Sequence, residues 1–218
     1  MAVVDSRYQF SLIDIGAEGR QSDSGVFKAL GIGHCLESGT LSLPGMRRLP
    51  GTDVVVPHVF VGDEAFQLRP DFMRPYPGQG LSLEKRIFNL RLSRARQCVE
   101  NAFGILASRC RVLLTTINLS PANVDNVVKA VCVLHNFLID HRAFPVDLVD
   151  QIDCFGNMRQ RRWRANAQLF GEQSLCPTQA RNHSRDAAQT RELYCSYFVG
   201  SAGQLDWQWE KVNDQRPH

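Results

Sequence analysis

Large apolar residues recur at steps of three and four between Ser82 and Arg111: Phe88, Leu92, Val99, Phe103 and Leu106, with Ala95 and Ala102 between them. That spacing draws one apolar stripe along a helix, expected over Leu83–Cys110. The other faces carry Lys85, Arg86, Arg91, Arg94, Arg96, Arg109 and Arg111 against only Glu84 and Glu100. Glu100 follows Val99, so it lies about 100° around from the stripe, at the edge of the buried face. An acid there either pairs with Arg96 one turn back or holds something positive.

A second helical period runs through Val124, Val127, Val128, Val131, Leu134 and Leu138. Ser120-Pro121 starts it, as N-cap and first helical residue, and it is expected to reach about Arg142. His135 lies beside its apolar face and reads as a core or boundary imidazole. Upstream, Ala2–Val4 and Tyr8–Ile15 are β-prone runs joined at Asp5-Ser6-Arg7, a hairpin pattern. Gly16–Gly25 reads as a loop, with Ser24 or Asp23 capping a short helix near Val26–Leu30. Leu36–Asp53, rich in Gly, Pro, Ser and Thr, reads as loop. Val54–Val61 is nearly all apolar, like a strand buried on both faces. It breaks at Gly62-Asp63, and an acid just past a buried strand is held rigidly with its tip toward solvent. Five Pro and Gly residues make Leu68–Leu81 an irregular connection. After Pro145 the pattern weakens. Arg159–Arg164 is a basic run suited to a solvated turn, phosphate contact or nuclear import. Leu169–Thr190 reads as polar and loosely ordered, Arg191–Val199 as a short helix, and Trp207 and Trp209 as anchors for the end of the chain.

Composition adds bounds. At 218 residues, 44% apolar and 22% charged, the chain is long enough for one good core and a tail. A net charge of +3 is mild; the concentration of cations in Lys85–Arg111 says more. The seven cysteines are scattered and form no CxxC pair, a usage fitting reduced thiols in a cytosolic or nuclear protein rather than a zinc site. No uncharged apolar run is long enough to span a membrane, and Asp5, Arg7 and Asp14 interrupt any secretion signal. No phosphate-binding loop or dinucleotide turn is present, so a nucleotide cofactor has no support.

The phrase FNLRLSRARQCVENAFGILASRCRVL resembles the end of the catalytic domain of PIF/Harbinger-type DDE transposases and their domesticated relatives. VFVGDEAFQLRPDFMRPY is similar to that family's segment around its second catalytic aspartate. MAVVDSRYQFSLIDIGAEGRQSDSGVF resembles its paired strands and following turn, and RELYCSYFVGSAGQLDWQWEKV its ending. The resemblance implies an α/β, ribonuclease-H-like mixed sheet flanked by helices and lacking its first strand. It places the catalytic domain in residues 1–142 and a partly irregular extension in 143–218. It also implies a metal-dependent DNA endonuclease in which Asp63 and Glu100 are catalytic metal ligands, Asp23 is an auxiliary acid, and Arg91, Arg94 and Arg96 meet DNA phosphates.

Two-ion phosphodiester chemistry explains why acids are needed: hard ions such as Mg²⁺ or Mn²⁺ want carboxylate oxygens, one ion activating the attacking oxygen and the other stabilising the leaving oxygen. Thirty-six residues separate Asp63 from Glu100, a gap of the size the family uses. The family's first aspartate belongs on a strand before Val3–Val4 and has no counterpart; Asp5 matches a hairpin acid not credited with catalysis. The expectation is therefore a truncated product, an incomplete gene model or a domesticated remnant, with an incomplete acidic triad that does not by itself cut DNA at a useful rate. The alternative function is a catalytically dead DNA- or protein-binding module. By the same analogy a separate Myb-like or MADF-like protein supplies specific DNA binding, and the chain works in the nucleus, with possible passage through the cytoplasm.

Overall fold

The computed structural model describes residues 1–16, 31–141, 151–152, 157–159 and 184–214. Among them are strands β1 (Ala2–Val4), β2 (Phe10–Ile13), β3 (Arg47–Arg48), β4 (Val55–Val56), β5 (Phe60–Val61), β6 (Phe72–Met73), β7 (Gln151–Ile152) and β8 (Met158–Arg159). The helices are α1 (Gly31–Glu37), α2 (Leu83–Arg109), α3 (Pro121–Asp140), α4 (Arg185–Val199) and α5 (Gln208–Asp214). The architecture is mixed α/β with small sheets: the described strands pair two by two, β5–β6 in parallel and the others antiparallel. No described helix is long and apolar enough to cross a membrane.

The chain divides into two compact units. One comprises Met1–Gln21, Gln97–Asp153 and Asn157–Ser174; the other comprises Ser22–Arg96, Cys154–Gly156 and Leu175–His218. In the first, the expected hairpin forms, with Ala2 opposite Ile13, Val3 opposite Leu12, and a register slip that brings Val4 opposite Phe10. Its turn is tied by Asp5, whose Oδ1 accepts from the backbone N–H groups of Arg7 (2.8 Å) and Gln9 (2.9 Å). Tyr8 sits in the left-handed region at φ +66°, which ends the turn and delays β2 to Phe10. The core here joins Phe10 to Ala102, Leu106, Val131 and Cys132. α3 docks on the hairpin through Asn136, whose side-chain amide accepts from Phe10 N–H and donates to Phe10 C=O, both at 2.9 Å. His135 is buried, its Nε2 2.8 Å from Tyr8 C=O, so the expected core imidazole is found. Burial lowers its pKa below the ordinary value, against the pull of the Tyr8 carbonyl. α3 starts at Pro121 after Ser120, but the Ser120 hydroxyl makes no capping hydrogen bond.

The second unit has a core of Leu68, Met73, Tyr76, Phe88, Leu92, Ala187 and Cys195. Beside it, Ile87, Leu90 and Val212 pack with Trp207 and Trp209, so the two tryptophans do anchor the end of the described chain. α4 begins six residues before the expected Arg191, at Arg185, because the Ser184 hydroxyl accepts from Ala187 N–H and caps it. Residues 185–190 are therefore helical rather than loosely ordered.

Four further expectations change. Val54–Val61 is not one buried strand: β4 and β5 flank Pro57, which lacks the N–H a continuous ladder would need. Val54, Val55 and Val61 are exposed. The loop expected over Leu36–Asp53 contains β3, which forms a hairpin with β4. The irregular stretch Leu68–Leu81 contains β6, paired with β5 so that Phe60 lies opposite Phe72 and Val61 opposite Met73. Two-residue strands carry no alternation to read. On α2 the buried side chains are Ile87, Phe88, Leu90, Leu92, Asn101, Ala102, Ile105, Leu106 and Ala107, whereas Phe103 is exposed. The helix serves a different core in each half, so a single stripe does not describe it.

Candidate metal and nucleic-acid site

Asp63 lies just past β5, as the sequence pattern implies, in a turn that the second unit fixes from several sides. Gly62 N–H donates to Met73 C=O (3.0 Å) and Phe66 N–H to Asp63 C=O (3.4 Å). Asp63 Oδ1 accepts from Ala65 N–H at 2.9 Å. Arg74, nearly buried and next to β6, donates through Nη1 to the carbonyls of Glu64 (3.3 Å) and Phe66 (3.1 Å). Phe66 and Phe72 stack with centroids 5.0 Å apart. A methyl group on Gly62 would come within 2.5 Å of the Phe72 ring and 2.8 Å of Phe66, so only glycine fits between the strand end and that stack. The sequence marked Gly62 only as the break that ends the apolar run, and Arg74 was not singled out, because a cation in a proline-rich stretch gives no signal until the turn it holds is known.

The other oxygen of Asp63 faces α2. Oδ2 is 3.7 Å from Arg96 Nη2, and the two side chains are 33% and 29% exposed. Arg96, which helix spacing offered to Glu100, instead forms its ion pair with Asp63. Glu100 is exposed on the same helix, in the stretch assigned to the first unit. Asp23 lies outside the described residues.

The basic faces of α2 divide. Arg91 Nη1 donates to Gly203 C=O (3.2 Å) and to Gln208 Oε1 (3.1 Å), with the guanidinium 4.6 Å above the Phe198 ring. Burial lowers its pKa from the ordinary arginine value. Arg86 donates to Val212 C=O, and the Lys85 ammonium stands 5.1 Å from the Tyr76 ring centroid. Arg91 and Arg86 thus hold the C-terminal helices, and Lys85 stands on the segment that carries Tyr76. Arg94 is only partly buried.

A family model described as DDE superfamily endonuclease matches residues 1–136, well over half of the chain and through both Asp63 and Glu100. The chain belongs to the DDE superfamily endonucleases. The Arabidopsis thaliana protein described as Protein ALP1-like is 30% identical over 164 residues, which is 73% of this chain and 40% of that relative. The DDE chain thus spans about two fifths of the length of the curated relative it matches. No solved structure matches it.

For a DDE endonuclease the question is whether the residues suit a divalent ion. In kind they do: Asp63 is a hard oxygen donor on a rigid turn, and a positive group already stands against its Oδ2. In number they fall short, since no group of three or more His, Cys, Asp or Glu side chains is placed to hold a metal among the described residues. The five described cysteines, Cys35, Cys98, Cys110, Cys132 and Cys195, are unpaired thiols.

Proposed function

We propose that this chain is a transposase-derived, PIF/Harbinger-type nuclease domain that cuts DNA phosphodiesters with Mg²⁺ or Mn²⁺ held by Asp63 and Glu100. The observation that carries this reading is the family match running through both acids, one of them on a turn fixed at the end of a strand. A bound divalent ion supplies the charge that polarises a phosphate and steadies a leaving oxygen. The chain supplies the rest: the Asp63 turn resists reorientation, and Arg94 and Arg96 draw phosphates to the α2 surface. In this reading the whole protein has the ribonuclease-H-like sheet of its kin, acts in the nucleus, and takes DNA specificity from a separate Myb-like or MADF-like partner.

A second reading, a binding module without cleavage, is favoured by one observation. The Asp63 carboxylate is already occupied, by Ala65 N–H on one side and Arg96 on the other. The test is to incubate the purified chain with supercoiled plasmid and Mg²⁺ or Mn²⁺ beside Asp63→Ala and Glu100→Ala. Nicking lost in both variants establishes the nuclease. Equal nicking by all three, or none with DNA binding retained, removes it in favour of the binding module.

A further inference from the structure

Arg96 stands against Asp63 Oδ2, while Oδ1 accepts from the backbone of its own turn. The pair is a loose one. At 3.7 Å it lies beyond hydrogen-bond distance, and both side chains are about one third exposed. Such a pair is weak enough to exchange. A guanidinium that leaves Asp63 does not lose its charge, and arginine at this exposure is suited to the bidentate grip of a phosphate. The neighbouring cations Lys85, Arg86 and Arg91 are tied to Tyr76, Val212, Gly203 and Gln208. Of the α2 cations whose partners are described here, Arg96 is the one whose partner is a carboxylate that another cation would claim.

We propose that Arg96 is a two-position side chain that couples metal binding to DNA binding. It neutralises Asp63 while no metal is bound, and a divalent ion at Asp63 releases it to a DNA phosphate. This rests on the reading of Asp63 as a metal ligand. Two consequences are opposite in sign and so diagnostic. Arg96 competes with the metal, so removing it tightens metal binding. Arg96 carries the metal's effect to DNA, so removing it abolishes the gain in DNA affinity that the metal brings. Linkage makes the wild-type effect reciprocal, with DNA tightening metal binding by the same factor.

The experiment uses Mn²⁺ and a fluorescent DNA duplex. Free Mn²⁺ is counted by electron paramagnetic resonance in titrations of the wild type, Arg96→Gln, Arg96→Lys and Asp63→Asn, and DNA affinity is read by anisotropy with and without Mn²⁺ on duplex checked to be uncut. Arg96→Gln is expected to bind Mn²⁺ roughly two- to fivefold tighter than wild type, the range of a partly exposed ion pair, and Arg96→Lys to fall between them. Wild-type DNA affinity rises with Mn²⁺, and that of Arg96→Gln does not. Unchanged or weaker Mn²⁺ binding by Arg96→Gln, with loss in Asp63→Asn, overturns the exchange and leaves the metal reading intact. Mn²⁺ binding unaffected by Asp63→Asn, or absent from every protein, overturns both. If circular dichroism shows Arg96→Gln unfolded, Arg96→Lys decides, and equal or weaker Mn²⁺ binding by it overturns the proposal.

Discussion

Asn89 holds Tyr76 by both of its backbone polar atoms, accepting from the N–H at 2.8 Å and donating to the C=O at 3.0 Å. A side-chain amide thus does what a neighbouring strand would do, and it fixes the Pro-rich segment below Arg74 to α2. Asn136 treats Phe10 in the same way in the other unit. Asn89→Ala leaves a donor and an acceptor unmatched and is expected to cost about 2 kcal/mol of stability. Asn89→Asp keeps the acceptor but sets a carboxylate against the Tyr76 carbonyl, and should cost at least as much. Urea unfolding measures both, and a loss under about 0.5 kcal/mol for Asn89→Ala would remove the clamp from the account.

Gly62→Ala tests the packing under Asp63. The added methyl overlaps the Phe72 and Phe66 rings, and relief requires the stack to shift or the turn to open. The expected loss is about 1–3 kcal/mol, typical of overpacking. Because the turn is displaced as well, Mn²⁺ binding should weaken in any fraction that stays folded. A variant with wild-type melting temperature and Mn²⁺ affinity would show that the stack yields freely.

The sequence made the long elements legible and the short ones illegible, for a physical reason. α2, α3 and the first hairpin extend over enough residues for a period to emerge, and their bounds agree with the pattern to within two or three residues. β3 through β6 are two residues each, so neither alternation nor an apolar run marks them, and Pro57 splits the one run that resembled a strand. The position of Asp63 past β5 could be read because Gly-Asp follows that run directly. What holds Asp63 could not. Arg96 is far from it in the chain, and helix spacing offered Arg96 a nearer carboxylate in Glu100. The basic face misled in a similar way: charge on a helix does not say whether a cation faces DNA or, like Arg91, a ring and two buried acceptors.

His135 gives the fold a pH dependence. Its folded pKa is lowered chiefly by burial, with Arg109 adding repulsion and the Tyr8 carbonyl opposing, while the Phe10 ring packs against it at 5.0 Å. The unfolded chain therefore takes up a proton more readily than the folded one. The contribution of His135 is fully present above the unfolded value near 6.5 and is lost as pH falls toward the folded value. Urea midpoints should drop between pH 7.5 and pH 5. His135→Gln, which retains a donor for Tyr8 C=O, should be less stable at pH 7.5 but flatter across the same interval. An equal slope in wild type and variant would assign the dependence to other groups.

The cations of α2 that hold the fold are expected to differ in salt dependence from those that meet DNA. Arg91 is spent inside the second unit: it donates to Gly203 and Gln208 and lies over Phe198. Gln208, fully buried, passes the network on by donating to Phe198 C=O at 2.8 Å. Removing Arg91 strands the Gln208 carbonyl and uncovers the ring, so Arg91→Ala should cost about 2–3 kcal/mol of stability. Its charge is not offered to phosphate, so the slope of log affinity against log salt should stay at the wild-type value. Arg94 is only partly buried. If it meets a phosphate, Arg94→Ala should lower that slope by about one unit and weaken binding alike on unrelated duplexes, because phosphate contacts carry no sequence information. Anisotropy titrations at four salt concentrations, with urea curves for each variant, give both quantities. Equal loss of slope in the two variants would place Arg91 at the DNA surface after all. No loss in either would move the phosphate contacts off this helix.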